Sequence, residues 1–347
     1  MRFYTRQHPF YCGSDLHART MYLCIFNQAG EIVLHRNMKC EPKPFLAAIA
    51  PFRPDVVVGV ECIFTWYWMA DLCAAEGISF VLGHALYMKA IHGGKAKNDR
   101  IDAHKIAVLL RGGSFPQAYV YPPLMRSTRD LLRGRLHFVR HRGALLAHIQ
   151  NTNSQCNLPD FGGRIIYKVN RPGVAERFGD ESVRKSIEAN LALIAHYDEL
   201  IRGLELHITR TAKQHDADTF HLLHSVPGIG KILALTILYE IHDIARFPRV
   251  QEFSSYSRLV KCSRESAGKH YGTGGSKIGN AHLKWAFSEA AVNFLRKNPP
   301  GQKLLARLRR KHGKGKSLSI LAHKLGRAVS YMLSHHRTFD MQQFLIV

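Results

Sequence analysis

Val56-Val-Val-Gly-Val-Glu61 is a short apolar run that ends on a carboxylate. A run of this length without polar alternation reads as a strand buried on both faces. Upstream, Phe10-Tyr-Cys-Gly-Ser-Asp15 also reads as a strand that ends on an acid. Downstream, Lys97-Asn-Asp-Arg-Ile-Asp-Ala-His-Lys105 opens an apolar helical pattern. Asp99 and Asp102 are three apart there, so they share one helix face. Two strand ends and one helix face are what is needed to set four hard oxygen ligands around Mg²⁺ or Mn²⁺. Asp15, Glu61, Asp99 and Asp102 are therefore the candidate metal ligands and catalytic carboxylates.

The elements around these acids form a recognisable order. Three β-like runs, Phe10–Asp15, Thr20–Phe26 and Ile32–Met38, precede a helix over about Pro44–Ala50 and the strand Val56–Glu61. An aromatic-rich helix from Thr65 to Ala75, a short strand Phe80–Leu82 and a helix over about Asp99–Leu110 follow, stopped by Gly112-Gly113. Three antiparallel strands and then helix, strand, helix, strand, helix is the order of the ribonuclease-H-like (RuvC-like) α/β fold. In that fold the first and fourth strands are neighbours, which brings Asp15 beside Glu61.

Residues 124–215 read as a helical spacer. Leu131, Leu132, Leu136, Val139, Leu145, Leu146 and Ile149 form an apolar stripe, and a stretch broken by Pro and Gly follows. Isoleucines then recur every seven residues at 187, 194, 201 and 208, the seam of a coiled coil. The partner of that seam is either the preceding helix or another protomer.

The last segment, 216–347, reads as mainly helical. Val226-Pro-Gly-Ile-Gly-Lys231 lies between two helical patterns and resembles the turn of helix-hairpin-helix DNA binders. Gly228 and Gly230 would admit a phosphate close to the backbone and Lys231 would add charge. A polar loop rich in Gly, Ser and Lys, residues 258–280 with Lys277, and a basic cluster holding Arg309, Arg310, Lys314 and Lys316 add candidate phosphate contacts. Gly315-Lys316-Ser317 does not close a Walker A loop, because Arg310 stands where that motif requires glycine.

Composition points the same way. The chain has 49 Lys+Arg against 26 Asp+Glu, a net charge of +23, which favours a polyanionic partner. Residues 216–347 hold 21 of the basic and 8 of the acidic side chains, so more than half of the excess lies there. No apolar run approaches the roughly 20 residues of a membrane span, and no signal-peptide pattern opens the chain. Seven cysteines without a Cys-x-x-Cys pair argue against a zinc ribbon or a disulfide framework and suit a reducing cytoplasm.

These motifs together resemble the transposases of the insertion-sequence one-ten family, relatives of the Piv site-specific invertases. Gly13-Ser-Asp15, Val60-Glu61 and Asp99-Arg-Ile-Asp102-Ala resemble its DEDD RuvC-like domain. Val226-Pro-Gly-Ile-Gly, Ile241-His-Asp-Ile-Ala-Arg-Phe247, Glu265-Ser266, Ser276-Lys-Ile-Gly-Asn280 and Gly313-Lys-Gly-Lys316 resemble its second domain. The resemblance implies a serine nucleophile, and the match falls on Ser266. Departures from the family pattern, Arg258-Leu-Val-Lys261 and Ser266-Ala267-Gly268, leave Ser263 as an alternative. The resemblance also implies donor and target DNA as substrates, a structured non-coding bridge RNA, a homo-oligomer (dimer or tetramer) and a site joined from two protomers. The expected location is the bacterial cytoplasm, at the nucleoid. Two rivals share these residues: a metal-dependent junction-resolving nuclease in which water attacks, and a non-catalytic nucleic-acid-bridging protein.

Overall fold

A computed structural model describes residues 2–91, 98–274 and 278–346 and divides the chain into two compact units, Met1–Pro123 and Leu124–Val347. The first is mixed α/β, the second largely helical.

In chain order the first unit runs β1 (Phe3–Tyr4), β2 (Phe10–Leu16), β3 (Thr20–Asn27), β4 (Ile32–Lys39), α1 (Pro42–Ile49), β5 (Val56–Glu61) and α2 (Trp66–Ala75). It ends with β6 (Ser79–Gly83), α3 (Ala85–Ile91), α4 (Asp99–Arg111) and β7 (Phe115–Pro116). Five strands form one sheet in the order β4-β3-β2-β5-β6, and β1 pairs with β7 beside it. β2, β3 and β4 are antiparallel neighbours, while β5 lies parallel to β2 and β6 parallel to β5.

Both faces of the central strands are covered, which is why β5 can be apolar throughout. Cys12, Leu16, Val56, Val58 and Val60 pack with Phe45 of α1 and Met69 of α2. Tyr11 and Val57 point the other way, into a core with Ala103, Ile106, Ala107 and Leu110 of α4. On that face β2 and β5 each carry a glycine, Gly13 and Gly59, paired across the strands. A Cβ on Gly13 would fall 2.1 Å from the Ala103 carbonyl oxygen, and one on Gly59 would fall 2.5 Å from Leu110 Cδ1. The absent side chains let α4 lie almost on the sheet backbone.

The second unit begins with two long helices, α5 (Pro123–Gln155) and α6 (Glu181–His215). Ile187, Ile194, Ile201 and Ile208 are all buried. The seam is satisfied within the chain: Ile187 and Ile194 pack with Leu146 and Ile149, whereas Ile208 joins the core holding Met125 and Leu132. Residue numbers rise on one helix as they fall on the other, so the pair is antiparallel. Arg142 to Asp198 (2.6 Å) and Arg135 to Glu205 (2.6 Å) reinforce it.

Beyond them come α7 (Ala217–His224), α8 (Lys231–Ile241), α9 (Val250–Tyr256), β8 (Cys262–Ser266), β9 (Lys269–Gly274), α10 (Ala281–Phe294), α11 (Pro299–His312), α12 (Lys314–His335) and α13 (Met341–Leu345). Leu235, Ile237, Phe253, Phe287, Leu325 and Val329 sit in one core with the start of α5 and the end of α6. The loop expected over 258–280 contains a two-stranded hairpin, β8-β9. Its turn, Ala267-Gly268, has positive φ at both residues (48° and 72°), the conformation that reverses a hairpin in two residues. Ahead of the basic cluster, Asn298-Pro-Pro-Gly301 starts α11, with Asn298 Oδ1 accepting from Gly301 N.

Candidate metal centre and serine hairpin

Asp15 lies on β2 two residues past Gly13, and Glu61 lies on β5 two residues past Gly59. Side chains two apart on a strand share a face, so both acids point to the face that α4 covers. Ser14 is in register with Val60, which puts Asp15 and Glu61 in adjacent positions on neighbouring parallel strands. Asn98 caps α4, its Oδ1 accepting from Ile101 N at 2.8 Å. Asp99 and Asp102 therefore fall in the first turn, where the helix dipole favours carboxylates.

Asp15 and Asp99 meet at one residue absent from the sequence-based set. His17 Nε2 lies 3.3 Å from Asp15 Oδ2 and 3.2 Å from Asp99 Oδ1. Donor atoms of Asp15, His17 and Asp99 all lie within 4.8 Å of one another. Asp102 sits one turn further along α4, with Lys105 Nζ 3.6 Å from its Oδ1. Burial pushes the Asp15 carboxyl above its usual range; His17 pulls it down, while the Asp99 and Asp102 charges push it up again. Carboxylates whose charges act on one another in this way repel, and a divalent cation would relieve them. The donor set fits such an ion. Glu61 ends its strand half-buried and lies outside the three-residue group. The sequence signal for His17 was its spacing from Asp15, the same two-residue step that puts Gly13 on this face.

Ser266 is the last residue of β8, exposed, and pairs across the turn with Lys269. Paired residues on antiparallel strands share a face, so Lys269 is a cation beside this serine. Glu265 pairs with His270 on the opposite face, at 3.6 Å. Ser263, three residues upstream and across a register shift in the hairpin, is also exposed.

The base of the hairpin is anchored. Asn280 N donates to the Tyr256 carbonyl at 2.6 Å, and Arg258 Nε to the Ile278 carbonyl at 3.1 Å. Asn280 Oδ1 caps α10 by accepting from His282 N and Leu283 N, and its Nδ2 donates to Glu240 Oε2 at 2.7 Å. Glu240, on α8 and 2% exposed, also takes Arg129 Nε at 3.0 Å and both Nε and Nη2 of Arg133. Burial alone would raise the Glu240 pKa, but the arginines and Asn280 hold the carboxyl down at about 2. A buried carboxylate thus ties α5, α8 and the exit from the hairpin together.

The remaining expected residues divide by environment. Gly228 (φ 87°) faces α10, where a Cβ would lie 2.4 Å from Phe294 N, so packing explains this glycine. Gly230 has open space around it and caps α8, and Lys231 is exposed at its first turn. Arg309 and Arg310 are exposed in the last turn of α11, and Lys314 and Lys316 in the first turn of α12. Lys277 lies outside the described residues. Among the described residues no helix is long and apolar enough to cross a membrane.

Residues 12–156 match a family profile described as Transposase, of the DEDD type of IS110, and residues 220–306 match one described as Transposase IS116/IS110/IS902 family. The chain is 24% identical over 334 residues to the transposase for insertion sequence element IS1111A of Coxiella burnetii, covering 94% of this chain and 90% of that one. It is 27% identical over 186 residues to a protein named for the IS117 mini-circle of Streptomyces coelicolor, covering 52% of this chain and 41% of the other. The first matched segment contains all four acids and the second contains Ser266.

Proposed function

Because the chain belongs to the IS110 family of transposases, we propose that it cuts and rejoins DNA through a covalent phosphoserine on Ser266, assisted by a divalent metal. The observation that carries this reading is the gathering of Asp15, Asp99 and Asp102 at one sheet end, within the matched segment of a chain of charge +23. Asp15, Glu61, Asp99 and Asp102 would hold the ion, Mg²⁺ or Mn²⁺. Bound there, such an ion would neutralise charge on the phosphodiester and its departing oxygen.

The protein's own groups do the rest. Attack by Ser266 forms an Oγ–P bond as one P–O bond of the DNA breaks, and the hydroxyl proton ends on the departing DNA oxygen. The phosphoserine conserves the energy of the phosphodiester, so a second DNA end can reverse the step and rejoin the strand without a high-energy cofactor. Lys269, beside Ser266 in the register, supplies positive charge to the phosphate. Gly230, Lys231, Arg309, Arg310, Lys314 and Lys316 are open to donor and target DNA and to a structured bridge RNA; Gly228 and Lys277 complete that proposed set. The first unit is read as a ribonuclease-H-like domain and the α7–turn–α8 element as a helix-hairpin-helix. The active assembly is read as a homo-oligomer, a dimer or tetramer.

A nicked suicide substrate tests the chemistry. A covalent DNA adduct should map by mass spectrometry to the peptide holding Ser266. Ser266→Ala should keep DNA binding while losing both adduct and recombinant product. An adduct on Ser263 would move the nucleophile, and undiminished cleavage by Ser266→Ala without an adduct would assign the reaction to a water-using nuclease.

A further inference from the structure

We propose that His17 is itself a ligand of the metal held by Asp15 and Asp99, and that its nitrogen favours Mn²⁺ over Mg²⁺ at this position. The inference rests on the metal reading above and goes beyond its four carboxylates.

Three observations carry it. His17 N donates to the Thr20 carbonyl at 2.9 Å, so strand pairing extends one residue past Leu16 and holds His17 on the same face as Asp15. Its Nε2 stands 3.3 Å from Asp15 Oδ2 and 3.2 Å from Asp99 Oδ1. Neighbouring ligands on an octahedron with bonds of ~2.1 Å lie about 3 Å apart, so a small inward shift of the three groups encloses an ion. The His17 and Asp99 side chains are 48% and 47% exposed, so ligand exchange with solvent and approach of a phosphate are open. Among the described residues, the three-donor group contains this imidazole and does not contain Glu61.

The donor chemistry gives the selectivity. Mg²⁺ takes hard oxygen ligands and parts reluctantly with water; Mn²⁺ also takes oxygen ligands but, as a transition ion, accepts an imidazole nitrogen among them more readily than Mg²⁺ does. A mixed oxygen–nitrogen set thus discriminates between two ions that an all-carboxylate site would accept alike. The rival role for His17, an imidazolium that only pairs with the two acids, predicts that a bound ion displaces it.

The test uses the full chain loaded with Mn²⁺ and read by pulsed electron paramagnetic resonance, which detects ¹⁴N within bonding distance of the ion. The wild type should show the modulation of one imidazole nitrogen, absent in His17→Ala. By calorimetry His17→Ala should weaken Mn²⁺ binding roughly tenfold or more, and Mg²⁺ binding by less than about threefold. His17→Gln, which keeps a polar side chain at the strand end, should lose the nitrogen signal in the same way, and matched melting curves would show that both variants fold. Mn²⁺ bound without ¹⁴N coupling, or coupling that survives in His17→Ala, overturns the assignment and leaves the carboxylate metal site standing. No Mn²⁺ binding by the wild type overturns both.

Discussion

Asp15 is buried on a strand, with the charges of two further carboxylates, Asp99 and Asp102, acting on it. Asp15→Asn preserves its shape and removes the charge. Strand cleavage should then fall by at least roughly 100-fold, the scale on which one lost transition-state stabiliser acts. The melting temperature should hold or rise, because the same change relieves repulsion; cleavage and melting assays on one preparation check both. Glu240 behaves oppositely. Its carboxyl is held down at about 2 in the folded chain against about 4.5 in a free chain. A depressed carboxylate contributes stability that is fully present above the unfolded pKa and lost as pH falls through the folded one. Wild-type stability should therefore drop between about pH 4.5 and pH 2 by on the order of 3 kcal/mol from this group. Glu240→Gln should flatten that part of a denaturation-against-pH series, and an unchanged slope would show that other carboxylates govern acid unfolding. Breaking the buried pair should also cost about 3–5 kcal/mol at neutral pH.

Helix α4 depends on what the strands beneath it lack. Gly13→Ala puts a methyl group 2.1 Å from the Ala103 oxygen and 2.5 Å from Ala107 N, and both are backbone atoms that cannot swing aside. The helix must lift, at a cost of about 1–3 kcal/mol for overpacking. Because Asp99 and Asp102 ride on its first turn, metal affinity should fall with stability. A Gly13→Ala variant that binds Mn²⁺ as the wild type does would separate the glycine from the site. The isoleucine seam is a plainer case. Ile194 is fully buried between α5 and α6, so Ile194→Ala should cost about 2–5 kcal/mol in chemical denaturation, with a midpoint independent of protein concentration because the seam is satisfied within one chain.

Charge acts at longer range than any of these contacts. The excess of cations lies toward residues 216–347, where Arg307, Arg309, Arg310, Lys311, Lys314 and Lys316 are all exposed around Gly313. Phosphate contacts release counterions, so log affinity for duplex DNA should fall linearly with log salt, with a slope near −0.9 per phosphate neutralised. Reversing Arg309 and Arg310 to Glu should shorten that slope by roughly 2 and weaken binding alike for unrelated sequences, because phosphates carry no base information. An unaltered slope in a filter-binding titration would make this cluster a solvated face.

Much of the protein is legible in its sequence. Val56–Glu61 announced a buried strand because its apolar run lacks alternation, the element order made it a neighbour of Phe10–Asp15, and the seven-residue isoleucine repeat announced a helical seam. Such features are local: a few consecutive side chains carry the whole signal. The tertiary structure decided what depends on several distant segments at once. His17 joined Asp15 and Asp99 only because β2 and the start of α4 converge. Gly13 and Gly59 became explicable only when α4 lay over both, and Gly228 when α10 filled the space a Cβ would take. Glu240, a single acid in an apolar helix, gained its meaning from Arg129, Arg133 and Asn280, which arrive from up to 111 residues away in the chain. Periodicity reports which face of an element is buried, but which surface meets that face is settled by packing, and the partners of a buried charge follow from that meeting.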